Sequence, residues 1–149
     1  MEGRGAFLRV AGSPDTPIRC AAFYEADAGL ILVGSASHNT AATQEFVSGY
    51  ISPSFAQLGS SLKLLLVAEG QAHIYPRMAP TCEWDTAAAH VIVTEAGGEV
   101  LCAGECDSQG VLLPGVDWRS ALAQQQPVRY NKPNQLNPFF VVYGRRVKA

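Results

Sequence analysis

Leu30-Ile31-Leu32-Val33 is followed, after one short turn, by Asn39-Thr40-Ala41-Ala42-Thr43-Gln44-Glu45-Phe46-Val47-Ser48-Gly49. The first four residues are continuously apolar, as expected of a strand buried on both faces. Asn39 or Thr40 can cap a helix that runs to about Val47 and ends at Gly49. A buried strand feeding a helix is the unit from which helix-covered sheets are built.

The same alternation continues downstream. A weaker strand is expected around Phe55 to Leu58. Ser60 or Ser61 opens a second helix in which Leu62, Leu65 and Leu66 share one face, and Gly70 closes it. Ala72 to Tyr75 reads as the next strand, and a proline-containing loop runs from Pro76 to Glu83. Asp85 opens a third helix, with Ala88, Val91, Ile92 and Ala96 at helical spacing and Gly97-Gly98 as its stop. Strands around Glu99 to Cys102 and Phe139 to Tyr143 finish the pattern. The expected fold class is α/β, a mixed and largely parallel sheet covered by helices. Ligands in such sheets gather beyond the strand C-termini.

Two stretches stand outside the alternation. Residues 1–28, with Gly3, Gly5, Gly12, Pro14 and Pro17, read as hairpin or edge material without a core of their own. Residues 103–127 read as a long polar connection ending in Gln124-Gln125-Gln126, long for a compact domain.

At 149 residues the chain is long enough for one domain, burying roughly two-thirds of its unfolded surface. Hydrophobic residues at 48% against 16% charged indicate a globular protein. A net charge of −2 gives no electrostatic footprint for nucleic acid. The longest uninterrupted apolar run, Leu64 to Ala68, is far short of a membrane span. No apolar signal core follows Met1, so the expected location is cytoplasmic. Cys20, Cys82, Cys102 and Cys106 form no metal-ligand pattern and read as reduced thiols.

Chemistry concentrates at two expected helix starts, Gly59-Ser60-Ser61-Leu62-Lys63 and Trp84-Asp85-Thr86-Ala87-Ala88. Free backbone N–H groups and the helix dipole attract anions there, phosphate above all. Ser60 and Lys63 lie three apart on one helix face, where Lys63 can reach back to an anion held by the first turn. Alternatively, Ser60 is only a cap and Lys63 is solvated. Arg77 follows a strand, and its planar fork suits bidentate phosphate binding. Asp85 is either an N-cap or an oxygen ligand for Mg²⁺, and spacing does not separate the two. His38 follows the first strand at the ligand end of the sheet; it either binds phosphate or a nucleotide, or fills a loop. His73 and His90 read as structural.

The order of these motifs resembles one family. Gly59 to Lys63, Val67-Ala68-Glu69-Gly70, Ile74-Tyr75-Pro76-Arg77, Trp84 to His90 and Glu95-Ala96-Gly97-Gly98 follow one another as in the 3′(2′),5′-bisphosphate nucleotidases of the CysQ type. These belong to the inositol monophosphatase superfamily of Mg²⁺-dependent phosphatases. Tyr130-Asn131-Lys132-Pro133 and Leu136-Asn137-Pro138 resemble the family's ending, and Ser35 to His38 and Gly3 to Phe7 also fit. The resemblance implies the C-terminal subdomain of an α/β/α/β/α sandwich over residues 29–149, with residues 1–28 as the edge of an N-terminal subdomain. It implies that Asp85 serves the Mg²⁺ and substrate site, and that His38, Ser60, Lys63 and Arg77 hold the nucleotide and its phosphates. The implied reaction converts adenosine 3′,5′-bisphosphate to AMP and phosphate.

The family's other metal ligands, a glutamate and an Asp-Pro-(Ile/Leu)-Asp-Gly-Thr loop, come from a preceding subdomain. This sequence has no Asp-Gly pair and no two adjacent acidic residues. The expected partners are therefore the nucleotide and either that N-terminal half or a second copy of the chain. The alternatives are a non-catalytic nucleotide- or phosphate-binding module and a fragment of an inositol monophosphatase-like enzyme.

Overall fold

The computed structural model describes residues 3–35, 39–59, 62–104, 113 and 117–148. In chain order these form β1 (Ala6–Leu8), β2 (Thr16–Ile18), β3 (Ala22–Phe23), β4 (Ile31–Ser35), α1 (Ala41–Ser48), β5 (Ser54–Leu58), α2 (Leu62–Ala68) and β6 (Ile74–Arg77). Then come β7 (Thr81–Cys82), a 3-10 turn (Glu83–Asp85), α3 (Ala87–Glu95), β8 (Glu99–Cys102), α4 (Trp118–Ala123), β9 (Leu136–Asn137), β10 (Phe140–Tyr143) and β11 (Arg145–Arg146).

The central sheet has the order β5-β4-β6-β10-β8. β4 runs parallel to β5 and β6, whereas β10 is antiparallel to both β6 and β8. β8 therefore points the same way as β4, β5 and β6, and β10 alone is reversed. The sheet is mixed and largely parallel, as the sequence pattern predicts.

Helices cover both faces. Val33, Tyr75, Val100 and Val142 pack with Leu64 and Val67 of α2 and Ala89 and Val93 of α3. Their strand neighbours Leu32, Ile74, Leu101 and Val141 turn to the other face and pack with Phe46 of α1 and Leu122 of α4. Successive side chains of a strand point to opposite faces, so strands covered on both sides need apolar residues throughout. That is the origin of the continuous Leu30–Val33 run.

Helix boundaries follow local chemistry. Thr40 is the cap of α1, its hydroxyl accepting from the Thr43 N–H at 3.2 Å, and Gly49 closes the helix onto Phe46 O. Gly97 after α3 has φ +90°, open mainly to glycine. A Cβ on Gly98 would stand 2.6 Å from Tyr143 O, so the close approach of α3 to β10 needs glycine there too.

Three expectations change. β6 does not end at Tyr75 but continues through Pro76 to Arg77, paired with β10. β4 meets β6 only at Leu32 and Ile74, so no ladder bond to β4 is asked of Pro76. Asp85 does not open α3; it closes the 3-10 turn, and the helix starts at Ala87. The polar stretch 103–127 contains α4, whose Ala121 and Leu122 are buried. Two buried positions in six residues are too few to stand out as a helical period. The remainder of that stretch, with Cys106, falls largely outside the described residues.

Residues 3–28 fold against this framework. β1 and β2 form an antiparallel hairpin, and β3 pairs in parallel with β11. The backbone N–H groups of Gly3 and Gly5 donate to Glu95 of α3 at 2.7 and 2.8 Å. Ala6 and Cys20 join the core on the α2/α3 side, and Phe23 joins the other.

Candidate phosphate-binding site

β4, β5, β6 and β8 all end at one edge of the sheet, where Arg77, Phe140 and Cys102 stand in register across β6, β10 and β8. Three of the five residues singled out from the sequence come together at this edge, around Tyr75.

Lys63 lies in the first turn of α2 yet is only 3% exposed, which overturns the solvated reading. Its ammonium donates to Leu58 O at 3.1 Å and sits 5.2 Å from the centre of the Tyr75 ring. Burial, and then the positive charge of Arg77, hold the Lys63 pKa below its usual value. Arg77 donates through Nη2 to Pro80 O at 3.1 Å. Its Nε is buried without a hydrogen-bond partner among the described residues, an open donor beside Lys63.

Burial, offset in part by the neighbouring Arg77, pushes the Tyr75 hydroxyl up to about 12. The negative charge of Asp85 acts on the same hydroxyl. Lys63, Arg77 and Asp85 therefore share one neighbour, which supports two cations beside one carboxylate. Two buried-to-half-buried cations with an open N–H suit a phosphate dianion.

Asp85 is exposed and is not the cap of α3, whose N-cap position is Thr86. Its Oδ2 accepts the Cys82 N–H at 2.9 Å, closing the 3-10 turn reciprocally. His38 and Ser60 lie outside the described residues.

The turn that carries Asp85 is gripped by the segment 129–137, whose chemistry the sequence reading left unassigned. Glu83 accepts the backbone N–H of Asn131 and Lys132 at 2.9 and 3.0 Å and the Lys132 ammonium at 2.5 Å. Burial opposes ionisation of Glu83, but these donors outweigh it and hold its carboxyl below the usual range. Asn137 donates to Cys82 O at 2.8 Å and to Thr86 Oγ1 at 2.9 Å. The Tyr130 hydroxyl donates to Thr86 Oγ1 at 3.2 Å and meets His90 Nδ1 at 2.8 Å. Burial lowers the His90 pKa. The signal for this clamp was present in Tyr130-Asn131-Lys132 and Asn137, polar residues next to apolar ones with no periodicity to explain them.

The clamp also decides what metal chemistry the described residues can offer. Glu83, two positions from Asp85, is already neutralised by Lys132. Among the described residues no three His, Cys, Asp or Glu side chains group to hold a metal ion. Asp85 alone fits Mg²⁺ as one oxygen ligand, not as a site. Cys20 and Cys102 are buried and Cys82 is half-buried.

Comparison with known proteins bears on the fold and the family. The 3′(2′),5′-bisphosphate nucleotidase CysQ of Escherichia coli (strain K12) is 46% identical over 70 residues, which are 47% of this chain and 28% of that protein. A crystal structure of CysQ from Bacteroides thetaiotaomicron, a bacterial member of the inositol monophosphatase family, matches with a TM-score of 0.69 and 34% identity. That match covers 98% of this chain and 52% of the other, so the chain spans about half the length of this relative. The inositol monophosphatase of Anabaena (Nostoc) sp. PCC 7120 shares the fold, with a TM-score of 0.58 at 18% identity over 93% of this chain and 50% of that one. The profile of the inositol monophosphatase family matches residues 1–136, and the chain belongs to that family.

Proposed function

We propose that this chain is the substrate-holding portion of a Mg²⁺-dependent phosphomonoesterase, a 3′(2′),5′-bisphosphate nucleotidase. The reaction is hydrolysis of adenosine 3′,5′-bisphosphate by one water to AMP and phosphate. The observation that carries this reading is the convergence of Lys63, Arg77 and Asp85 around Tyr75 at the C-terminal edge of the parallel strands. The likeness to CysQ proteins, at 46% identity over 70 residues, supports the nucleotide branch of the family.

In this reading Lys63 and Arg77 bind and orient phosphate oxygens. Their fixed charges face the dianion without the reorganisation that water would need. His38 and Ser60 add contacts to the nucleotide. Asp85 supplies one oxygen ligand to Mg²⁺, held in orientation by the Cys82 N–H. Bound Mg²⁺ in such a site activates water and stabilises the leaving oxygen. Its other ligands come from outside the described residues of this chain.

Residues 29–149 then act as a C-terminal α/β subdomain, and residues 1–28 as the edge of an N-terminal one. The partner is that N-terminal half or a second copy, in a cytoplasmic setting. The neutralisation of Glu83 by Lys132 favours a second reading, a nucleotide- or phosphate-binding module without hydrolysis.

Phosphate release from adenosine 3′,5′-bisphosphate, with and without Mg²⁺ and with Asp85→Asn as control, separates the two. Mg²⁺-dependent release that Asp85→Asn abolishes, by the chain alone or with the N-terminal half of a CysQ protein added, supports the nucleotidase. Binding that is indifferent to Mg²⁺, lost in Lys63→Ala and never accompanied by release, supports the module.

A further inference from the structure

A cavity of about 460 Å³ lies in the seam between the β1–β2 hairpin and the far end of α3, with Arg4, Phe7, Ile18, Arg19, Glu95 and Arg145 in its lining. It is separate from the site at Asp85. α3 is nine residues long, so its Glu95 end stands about 12 Å from the Ala87 end beside Asp85.

Three arginines from distant parts of the chain meet at this cavity. Among the described residues the side chains of Arg4, Arg19 and Arg145 have no hydrogen-bond or ion-pair partner. Arg9, Arg119 and Arg146, by contrast, are each paired with a carboxylate. Arg145 and Arg146 are neighbours on β11, and successive side chains of a strand point to opposite sides. Arg146 therefore meets Glu25 and Glu99, whereas Arg145 turns to the cavity.

Glu95 is the one carboxylate of the lining, and both of its oxygens are engaged. Gly3 and Gly5 each have φ +83°, a left-handed backbone that aims their N–H groups at one point. These donate to Glu95 Oε1 at 2.7 Å and Oε2 at 2.8 Å. The same two donors hold the Glu95 carboxyl below its usual range. The end of α3 does not occupy the arginines either. The carbonyls of Ile92, Val93, Thr94 and Ala96 already accept the N–H groups of Ala96, Gly98, Gly97 and Cys20. Three positive charges against one negative leave the lining with an excess of two. Between them Phe7, 52% exposed, and Ile18 give an apolar wall.

We propose that this cavity is a second anion site, for the doubly charged phosphate or sulfate group of a small organic molecule. Planar guanidinium forks match a tetrahedral oxyanion in geometry, and the excess of two charges matches a dianion. The volume is that of a small-molecule pocket and exceeds what a bare ion fills, so the apolar part of the ligand rests on Phe7 and Ile18. The site stands apart from the reading of Lys63 and Arg77 and does not require it.

Phenylphosphonate and methylphosphonate, which have no ester bond to hydrolyse, are titrated calorimetrically against the full chain at pH 8 without Mg²⁺. The double variant Arg19→Gln, Arg145→Gln weakens one binding event by at least about tenfold. That event survives in Lys63→Met, whether or not the native chain binds a further equivalent at Lys63. Phe7→Ala brings phenylphosphonate down to the affinity of methylphosphonate and leaves the latter unchanged. The charge-matched control Arg9→Gln, Arg129→Gln leaves both affinities as they are. If Lys63→Met does not fold, amide NMR shifts at Gly5, Phe7 and Ala96 of the native chain locate the bound anion without it. No binding, binding that the Arg19 and Arg145 substitutions leave intact, or an equal loss in the charge-matched control overturns the site. Loss in Lys63→Met alone also overturns it, and leaves the phosphate site at Lys63 standing.

Discussion

The Lys132 ammonium and the Glu83 carboxylate meet at 2.5 Å with both side chains largely withdrawn from water, at 2% and 12% exposure. Lys132 also donates to Arg129 O, and its charge lies 5.7 Å from the Tyr130 ring centre. Segment 129–137 is thereby fastened to the turn bearing Asp85. The pair also removes Glu83 as a competing ligand or charge beside the site.

Loss of one partner should cost more than loss of both. Lys132→Met leaves the Glu83 carboxylate unpaired in a low-dielectric setting and is expected to destabilise the fold by roughly 3 kcal/mol. The double variant Glu83→Gln, Lys132→Met removes the orphaned charge and should recover at least half of that. Urea denaturation of the three proteins checks this. A single variant as stable as the native chain contradicts the clamp.

The same pair sets a pH dependence. The folded-state pKa of Glu83 lies below its unfolded value, so its contribution is complete above about pH 4.3, the usual glutamate value. It is lost as pH falls through the lower folded value. Thermal melting between pH 6 and pH 3 should show a smaller loss of stability in the double variant than in the native chain. Parallel curves would remove Glu83 as the source.

Lys63 gives a prediction for binding. A buried ammonium facing a phosphate is worth about 1.5 to 3 kcal/mol, so Lys63→Met should weaken inorganic phosphate or AMP binding by roughly ten- to a hundredfold. Because burial and Arg77 lower its pKa, anion binding should begin to fall at a pH below that expected of a surface lysine. Calorimetric titration at pH 7 to 10 reads both effects. Unchanged affinity in Lys63→Met would place the anion elsewhere.

The parts of this structure legible in the sequence are those in which local pattern and tertiary need coincide. α1 could be bounded at both ends because Thr40 and Gly49 satisfy the helix's own orphaned backbone groups. β8 matched residue for residue because its neighbours are turns. Where long-range partners decide, the sequence was silent. Pro76 belongs to a strand only because β10 pairs with it, and Lys132 is buried only because Glu83 waits 49 positions away. The site followed the same division. Lys63, Arg77 and Asp85 are each marked by a helix start or strand end, but their meeting at Tyr75 depends on the sheet. The helix that starts at Trp118 was hidden in a stretch read as polar connection.

The outer surface beside the site is apolar for a reason that solution behaviour can test. Leu62 of α2, Trp84 of the turn and Val91 of α3 are 59%, 70% and 53% exposed. Trp84, Ala88 and Val91 recur at spacings of four and three, so they fall on one side of the turn and helix. α2 and α3 pack side by side under the sheet, with Leu62 at the start of the first. Apolar residues concentrated in this way mark a surface that is covered in the working assembly. The chain alone is therefore expected to self-associate at tens of micromolar, roughly, when followed by light scattering. Replacing Trp84 and Val91 by glutamate should return it to a monomer without loss of helical circular dichroism. A native chain already monomeric at that concentration would mean that this surface tolerates water and needs no partner.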